Sequence, residues 1–327
     1  MHISQGEISR KLRELRSLHI TTERDRELRN HLDRLLEVDA EGRQLPEPVR
    51  FAGGLETRGI AMIDGPGGGK TASINRLLTR LPALNPPDGP RWLGEQVPSP
   101  ATLKSLGFVV MSATGIPCSS TSMPAHQIWD GIKNRLMHLK ITVLWIDEAH
   151  DLFVSRSERD VDEMLKVLKS LMQREGAVIV ILSGTERLRD ITSKDPQVDR
   201  RFLKVIPRPF VLGADEKDVG SLVASCAAKA GLGLDWSTEL SGRLIHASRG
   251  RFGRTVETTI NAIEQAFING ASRLEQVHFA EAWGMQEGCP WHENVFVTPD
   301  WSSRPLDMAA QDHQAAPPKG RRKAGRS

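Results

Sequence analysis

The feature that most constrains this chain is a glycine-rich stretch that lies between an apolar run and a helical pattern. Residues 60–71 read Ile-Ala-Met-Ile-Asp-Gly-Pro-Gly-Gly-Gly-Lys-Thr, and apolar residues then recur with a helical period up to Leu81. A strand, a loop and a helix in this order point backbone N–H groups and the positive end of a helix dipole at one place. The stretch therefore predicts a loop that binds the phosphates of a nucleotide.

Each residue type in this stretch has an expected role. The lysine reaches the β- and γ-phosphates, and the hydroxyl after it contacts Mg²⁺, so ATP and Mg²⁺ are the expected cofactors. The residues expected to bind the nucleotide are Gly65, Pro66, Gly67, Gly68, Gly69, Lys70, Thr71 and Ala72. An ordinary glycine-rich turn between a strand and a helix is the alternative interpretation.

The match to the pattern G-x-x-x-x-G-K-[ST] is imperfect. Asp64 occupies the position of the first glycine, and Gly65 follows it. A carboxylate near phosphates opposes nucleotide binding unless its side chain points away. We therefore expect Asp64 to affect the nucleotide affinity more than the fold.

A second motif follows the apolar run at 141–146, which is typical of a parallel strand buried on both faces. The run ends in Asp147 and Glu148. Asp147 is suited to hold Mg²⁺ together with Thr71, and Glu148 is suited to polarise the attacking water. A strand that ends in an acidic cap is the alternative, but the two motifs support each other because phosphoryl transfer needs both.

Two further positions are candidates for the same site. An apolar run at 177–182 predicts another buried strand, whose end carries Ser183 and Thr185. Ligands bind at the carboxyl ends of such strands, so either hydroxyl is a candidate contact for the γ-phosphate or its water, and a polar turn is the alternative. Arg200 and Arg201 follow. They form either a surface pair or a group that reaches the γ-phosphate of a neighbouring subunit.

The pattern divides the chain into five segments. We expect an N-terminal helical segment at 1–48, an α/β nucleotide-binding domain at 49–212, a helical lid at 213–284, an irregular segment at 285–306 and a disordered basic tail at 307–327. Within the α/β domain, six prolines between 82 and 100 predict an extended connection, residues 107–111 a strand, and residues 112–124 an exposed loop.

Composition bounds the function only broadly. Five of the 44 basic residues lie in the last nine positions, so without them the formal net charge of +3 becomes −2. A DNA-binding surface would therefore have to be a local patch. The cysteines, Cys118, Cys226 and Cys289, are too far apart for a zinc motif and suggest a reducing compartment. We found neither a signal pattern nor a membrane-spanning run, which predicts a cytoplasmic protein without a membrane partner.

Four stretches together resemble one family. They are Ile-Asp-Glu-Ala-His-Asp-Leu at 146–152, the block from Gly-Thr-Glu-Arg-Leu to Arg-Arg-Phe at 184–202, Gly-Arg-Phe-Gly-Arg at 250–254, and the segment 288–296. They resemble the TniB/TnsC family, the ATP-dependent AAA+ regulators of bacterial DNA transposition, over roughly residues 10–300. The second block is the most specific of the four.

The resemblance implies an AAA+ P-loop NTPase core, a parallel sheet flanked by helices, with a C-terminal helical lid. It implies ATP bound between subunits, a ring or filament of copies on double-stranded DNA, and recruitment of a transposase of the TniA/TnsB type and a target-selection protein of the TniQ type. It also assigns catalytic roles to Lys70 and Glu148, a role at the sensor strand to Thr185, a trans-acting role to Arg201, and nucleotide sensing to Arg254.

Two other functions remain open at this stage. One is an AAA+ ATPase with another DNA-loading role or a secretion-linked role. The other is a nucleotide-locked scaffold with negligible hydrolysis, in which Asp64 has weakened the site. A small-molecule kinase is the least favoured, because the arginine pair and the lid would then lack a purpose.

Overall fold

A computed structural model describes residues 4–116, 123–153 and 158–306. The chain divides into two compact units. The sheet unit is His19–Arg208, and the helical unit combines Met1–Leu18 with Pro209–Ser327. The first helix of the chain therefore belongs to the helical unit and the second to the sheet unit.

The described elements are as follows in chain order. The helices are α1 (Gln5–Arg16), α2 (Glu23–Asp33), α3 (Lys70–Arg80), α4 (Leu103–Ala113), α5 (Ala125–His138), α6 (Glu158–Leu171), α7 (Glu186–Thr192), α8 (Pro196–Asp199), α9 (Glu216–Ala230), α10 (Thr238–Ala247), α11 (Phe252–Ile268) and α12 (Gln276–Glu287). The strands are β1 (Leu36–Val38), β2 (Gln44–Pro48), β3 (Gly59–Ile63), β4 (Trp92–Gln96), β5 (Val143–Asp147), β6 (Ile179–Gly184), β7 (Phe202–Val205), β8 (Gly233–Leu234) and β9 (Arg273–Leu274).

The centre of the sheet unit is a five-stranded parallel sheet in the order β4-β5-β6-β3-β7. All residues of β3, β5 and β6 are buried, which agrees with the apolar runs that predicted them. The register places Met62 beside Ser183 and Gln96 beside Asp147. The carboxyl ends of β3, β5 and β6 thus lie at one edge of the sheet, where ligands of such sheets bind.

Helices cover both faces of this sheet. Alternate residues of each strand point to opposite faces, so Ile60 and Met62 pack with Ile74 of α3, whereas Ala61 and Ile63 belong to a core with α4, α5 and α6. The predicted AAA+ fold class, a parallel sheet flanked by helices with a helical C-terminal region, is confirmed.

The strand predicted at 107–111 is wrong, because these residues lie in α4. The helix begins with a capping box between Thr102 and Ser105. Gly107 packs so closely on α5 that a Cβ there would lie 2.8 Å from Ile128 Cγ2. A short apolar run fits either a strand or a buried helix, and here the cap and the packing on α5 decide for the helix.

The extended connection predicted at 82–100 is also wrong in part. Residues 92–96, which contain no proline, form the edge strand β4 and pair with β5. The prolines flank this strand, as the missing N–H of proline requires. Of the loop predicted at 112–124, residues 112–113 end α4, and residues 117–122, which include Cys118, lie outside the described residues.

The helical unit is built from α1 and α9–α12. Ile8, Leu12 and Leu15 form the buried face of α1, which packs on α9 and α11. The irregular segment after α12 contributes Val295 and Phe296 to the interior, where Phe296 packs against Phe279. Among the described residues, none of the helices is long and apolar enough to cross a membrane.

Candidate nucleotide site

The glycine-rich loop has a backbone that demands glycine at two positions. The φ angles of Gly67 and Gly69 are +73° and +92°. Side chains are strained in this left-handed region, whereas glycine adopts it freely. The loop leads from β3 directly into α3, which begins at Lys70. The N-terminus of α3 therefore stands at the carboxyl edge of the sheet, as a phosphate site requires.

The Lys70 side chain is buried and held by the loop itself. Its Nζ donates to the carbonyl of Asp64 at 2.8 Å and to that of Gly65 at 3.2 Å. The Lys70 side chain thereby connects the beginning of α3 to the start of the loop and places a cation there. Thr71 is exposed, and so is Ala72, the last residue expected to contact the nucleotide.

The carboxylate of Asp64 is buried against the loop and does not project into solvent. Its Oδ1 accepts the N–H of Gly65 at 2.7 Å. A Cβ at Gly68 would lie 2.0 Å from Asp64 Oδ2, so the carboxylate fills the space that a side chain at position 68 would take. Asp64 thus packs along the loop from Gly65 to Gly68.

Arg24 of α2 reaches the same loop, and no motif in the sequence predicts this contact. The side chain of Arg24 is only 6% exposed, and its Nη1 donates to the carbonyl of Gly68 and lies 3.9 Å from Asp64 Oδ2. Burial lowers the pKa of Arg24 below its usual value, while Asp25 and Asp64 raise it. Charged residues make up most of α2, a composition typical of a solvated helix, so the sequence pattern does not single out this buried arginine.

The carboxylate of Asp147 is the centre of a hydrogen-bond network. Its Oδ2 accepts from Thr71 Oγ1 at 2.7 Å, and its Oδ1 accepts from Ser183 Oγ at 2.6 Å and from the N–H of Glu148 at 3.0 Å. The indole of Trp145 donates to Ser183 Oγ at 2.8 Å. The network joins β5, β6 and α3, so it fixes the carboxylate between two strands and the phosphate loop.

The pair of Thr71 and Asp147 fits a magnesium ion. A hydroxyl and a carboxylate are hard oxygen donors, and Mg²⁺ is bound in such sites by one or two protein groups together with phosphate oxygens and water. The described residues contain no group of three or more histidine, cysteine, aspartate or glutamate side chains that could hold a metal by themselves. Thr71 and Asp147 would therefore hold a metal only together with ligands from outside the protein, such as phosphate oxygens and water.

Glu148 follows with a strained backbone, at a φ of +52°. Such strain in a residue other than glycine persists where the surrounding structure imposes it. Its Oε2 lies 3.2 Å from His150 Nδ1, and His150 in turn packs against Gly184. The side chain is partly exposed, as an activator of water must be.

The remaining predicted residues lie in different settings. Thr185 is half-buried and precedes α7, and its hydroxyl does not cap that helix. The hydroxyl of this strand end that bonds to Asp147 is that of Ser183. Arg254 lies half-buried at the beginning of α11 in the helical unit.

The two arginines, Arg200 and Arg201, differ in how far they are buried. Arg201 is only 3% exposed, and its guanidinium donates through two nitrogens to Glu56 Oε2. Arg200 donates to the same oxygen at 3.1 Å, but its side chain is 59% exposed. The backbone of Arg201 also accepts the N–H of Gly59 at the start of β3. The structure thus gives Arg201 an internal partner and leaves Arg200 accessible.

Taken together, the sheet order, the phosphate loop and the acidic strand end define an AAA+ P-loop NTPase fold. The family model of the AAA domain matches residues 55–192, which span β3, α3, β5 and β6. A search of curated proteins gave no match.

Solved structures with this fold are similar to the chain over most of its length. The Aeropyrum pernix ORC1 protein, solved in complex with DNA, aligns with 84% of this chain and 70% of its own at a TM-score of 0.58 and 16% identity. The ORC2 protein of the same organism, solved in ADPNP and ADP complexes, aligns with 72% of this chain and 63% of its own at a TM-score of 0.50 and 16% identity. At this identity the similarity is one of fold.

Proposed function

We propose that the protein binds ATP with Mg²⁺ and hydrolyses it. The observation that carries the proposal is the 2.7 Å hydrogen bond between Thr71 and Asp147, because it places a hydroxyl and a carboxylate together beside a loop built for phosphates. Lys70 and the loop N–H groups neutralise charge on the phosphates. Phosphoryl transfer needs mainly such positioning and neutralisation from a protein.

Each polar residue has a separate task in this proposal. Glu148 accepts the proton of the attacking water at its carboxylate, which lies 3.2 Å from His150 Nδ1. Ser183 and the N–H of Glu148 hold Oδ1 of Asp147, and Asp147 and Thr71 are the residues that would hold the metal. Bound Mg²⁺ would supply charge stabilisation for the phosphates.

We assign the trans-acting role to Arg200. A residue that contacts a neighbour's nucleotide must be accessible and able to leave its internal partner. Arg200 meets both conditions, while Arg201 is enclosed with Glu56. Arg201 then has a structural role, since it holds the start of β3 through its backbone and Glu56 through its side chain.

The four sequence stretches support a more specific proposal. The protein is then a regulator of bacterial DNA transposition that assembles copies on double-stranded DNA and engages a transposase of the TniA/TnsB type and a target-selection protein of the TniQ type. Arg254 has the nucleotide-sensing role that the resemblance implies, and the protein acts in the cytoplasm. The ORC1 structure, which was solved in complex with DNA, is consistent with DNA binding by a protein of this fold. It is equally consistent with a DNA-loading function other than transposition.

A nucleotide-locked scaffold is the second candidate, and the buried carboxylate of Asp64 in the phosphate loop is the observation that favours it. Turnover measured with and without double-stranded DNA separates the two functions. An ATPase releases phosphate over many cycles, and a scaffold binds ATP without sustained release. Absence of ATP binding would reject both.

A further inference from the structure

We infer that Arg24 is a positioning residue of the nucleotide site, and that with Asp64 it forms a charge pair that lets the phosphate loop work without its usual first glycine. The inference rests on the proposed ATP binding and deepens it. It assigns a role to a residue that lies outside the loop, on helix α2.

The first support is where Arg24 attaches to the loop. It donates to a backbone carbonyl, that of Gly68, and its guanidinium packs within 3.5 Å of the position that a Cβ of Gly69 would take. The carbonyl of Gly68 and the N–H of Gly69 point in opposite directions, because they belong to one trans peptide unit. Arg24 therefore holds this part of the loop from the side opposite to the Gly69 N–H, which makes it a positioning residue.

The second support is charge. Asp64 is 5% exposed and lies in a loop that has to receive several negative charges. A buried carboxylate without a cation would both cost stability and repel the phosphates. Arg24 Nη1 is 3.9 Å from Asp64 Oδ2, and the Lys70 ammonium is held by the Asp64 carbonyl. Because Arg24 balances Asp64, the charge of Lys70 remains available to the nucleotide.

The third support is that α2 holds Arg24 in place. The helix begins with a capping box in which Asp25 accepts from the N–H of Thr22 at 2.8 Å. Leu28 and Leu32 anchor the same helix in the core beside α3 and β3. The capping box and the buried leucines hold the backbone of α2 on either side of Arg24. The Arg24 side chain can therefore hold the phosphate loop in place.

The test compares Arg24→Gln, Asp64→Gly and the double variant in full-length protein. Equilibrium dialysis measures the affinity for ATP with Mg²⁺, and thermal melts monitor folding. We expect Arg24→Gln to weaken ATP binding about tenfold or more, because it leaves the Asp64 carboxylate unbalanced. Asp64→Gly in the same protein should restore most of that affinity, because it removes the charge that Arg24 was balancing.

The matched control is Arg26→Gln, which removes an exposed arginine from the same helix and should leave the affinity unchanged. If Arg24→Gln does not fold, Asp64→Asn replaces it as the decisive variant. It removes the charge yet retains an oxygen for the N–H of Gly65, so ATP should bind at least as tightly as to the parent.

The outcomes separate the inference from the function. A parent protein that fails to bind ATP rejects the proposed function. A parent that binds ATP, with Arg24→Gln binding equally well, rejects only the role of Arg24. A double variant as weak as Arg24→Gln, or weaker binding by Asp64→Asn, also overturns the pairing with Asp64, since a purely structural arginine is not rescued by loss of the opposite charge.

Discussion

The hydroxyl of Ser183 donates a 2.6 Å hydrogen bond to Asp147 Oδ1, while Thr71 donates to the other oxygen of the same carboxylate. Ser183 therefore fixes the carboxylate from β6 in the orientation that presents Oδ2 to the phosphate loop. The same hydroxyl accepts from the buried indole of Trp145, which sets its own orientation.

Ser183→Ala should impair hydrolysis by loosening Asp147. Loss of a residue that orients a metal ligand typically costs about 10- to 100-fold in metal affinity or activity. We expect the Mg²⁺ concentration for half-maximal ATPase activity to rise, with ATP binding retained. Thr185→Ala is the comparison, and a larger effect there would favour Thr185 as the functional hydroxyl of this strand end.

Glu148→Gln should bind ATP and fail to hydrolyse it, because an amide cannot accept the proton of the attacking water. Lys70→Ala should instead weaken the binding of ATP itself, since it removes the cation between the loop ends. Binding and phosphate release measured on both variants check the two roles. Hydrolysis at the parent rate by Glu148→Gln would show that another group is the base.

The two arginines should behave differently on substitution. Arg200→Ala should fold normally and lose ATPase activity, and mixing it with Lys70→Ala subunits should recover part of the activity by pairing intact halves. Arg201→Ala should lower the free energy of unfolding by about 3 kcal/mol, because it removes the principal partner of buried Glu56. Denaturant unfolding and activity assays check both expectations. Mixed assemblies that form without any recovery would argue against a trans role for Arg200.

Binding of double-stranded DNA should depend on ATP and on assembly of copies, because the chain without its last nine residues has a formal charge of −2. We expect the contact to come from residues 112–124 and to survive removal of residues 307–327. The alternative contact is the basic tail. DNA binding by the tail would not depend on nucleotide and would be lost when the tail is removed. If the protein without residues 307–327 assembles with ATP but no longer binds DNA, residues 112–124 are not the DNA contact.

Acid should destabilise the helical unit through His246. Burial lowers its pKa below 6.5, with Arg249 also lowering it and a 3.0 Å hydrogen bond to the Arg304 carbonyl opposing the shift. The folded state then binds fewer protons than the unfolded state, so stability that is present above pH 6.5 is lost as the pH falls. His246→Gln should show a smaller drop in melting temperature between pH 7 and pH 5, and an equal drop would assign the effect to other groups.

The sequence by itself determined the parts of this protein that are local in the chain. The strand, glycine loop and helix around Lys70 are contiguous, and the apolar runs before Asp147 and Ser183 identify buried parallel strands because both of their faces are covered. The helical character of residues 213–284 was likewise expected, and α9 to α12 lie there or end close to it. These parts predict an α/β nucleotide-binding domain and the position of its candidate site, and the family resemblance adds the AAA+ class.

Only the tertiary structure decided which distant residues meet. Arg24 and Gly68 are 44 positions apart, and Arg201 and Glu56 are 145 apart. Whether an arginine is solvated or buried with a carboxylate depends on which residues pack over it. The identity of the residue alone does not predict this. The same holds for β4 and α4, whose short sequences suit more than one conformation until pairing with β5 and packing on α5 select one.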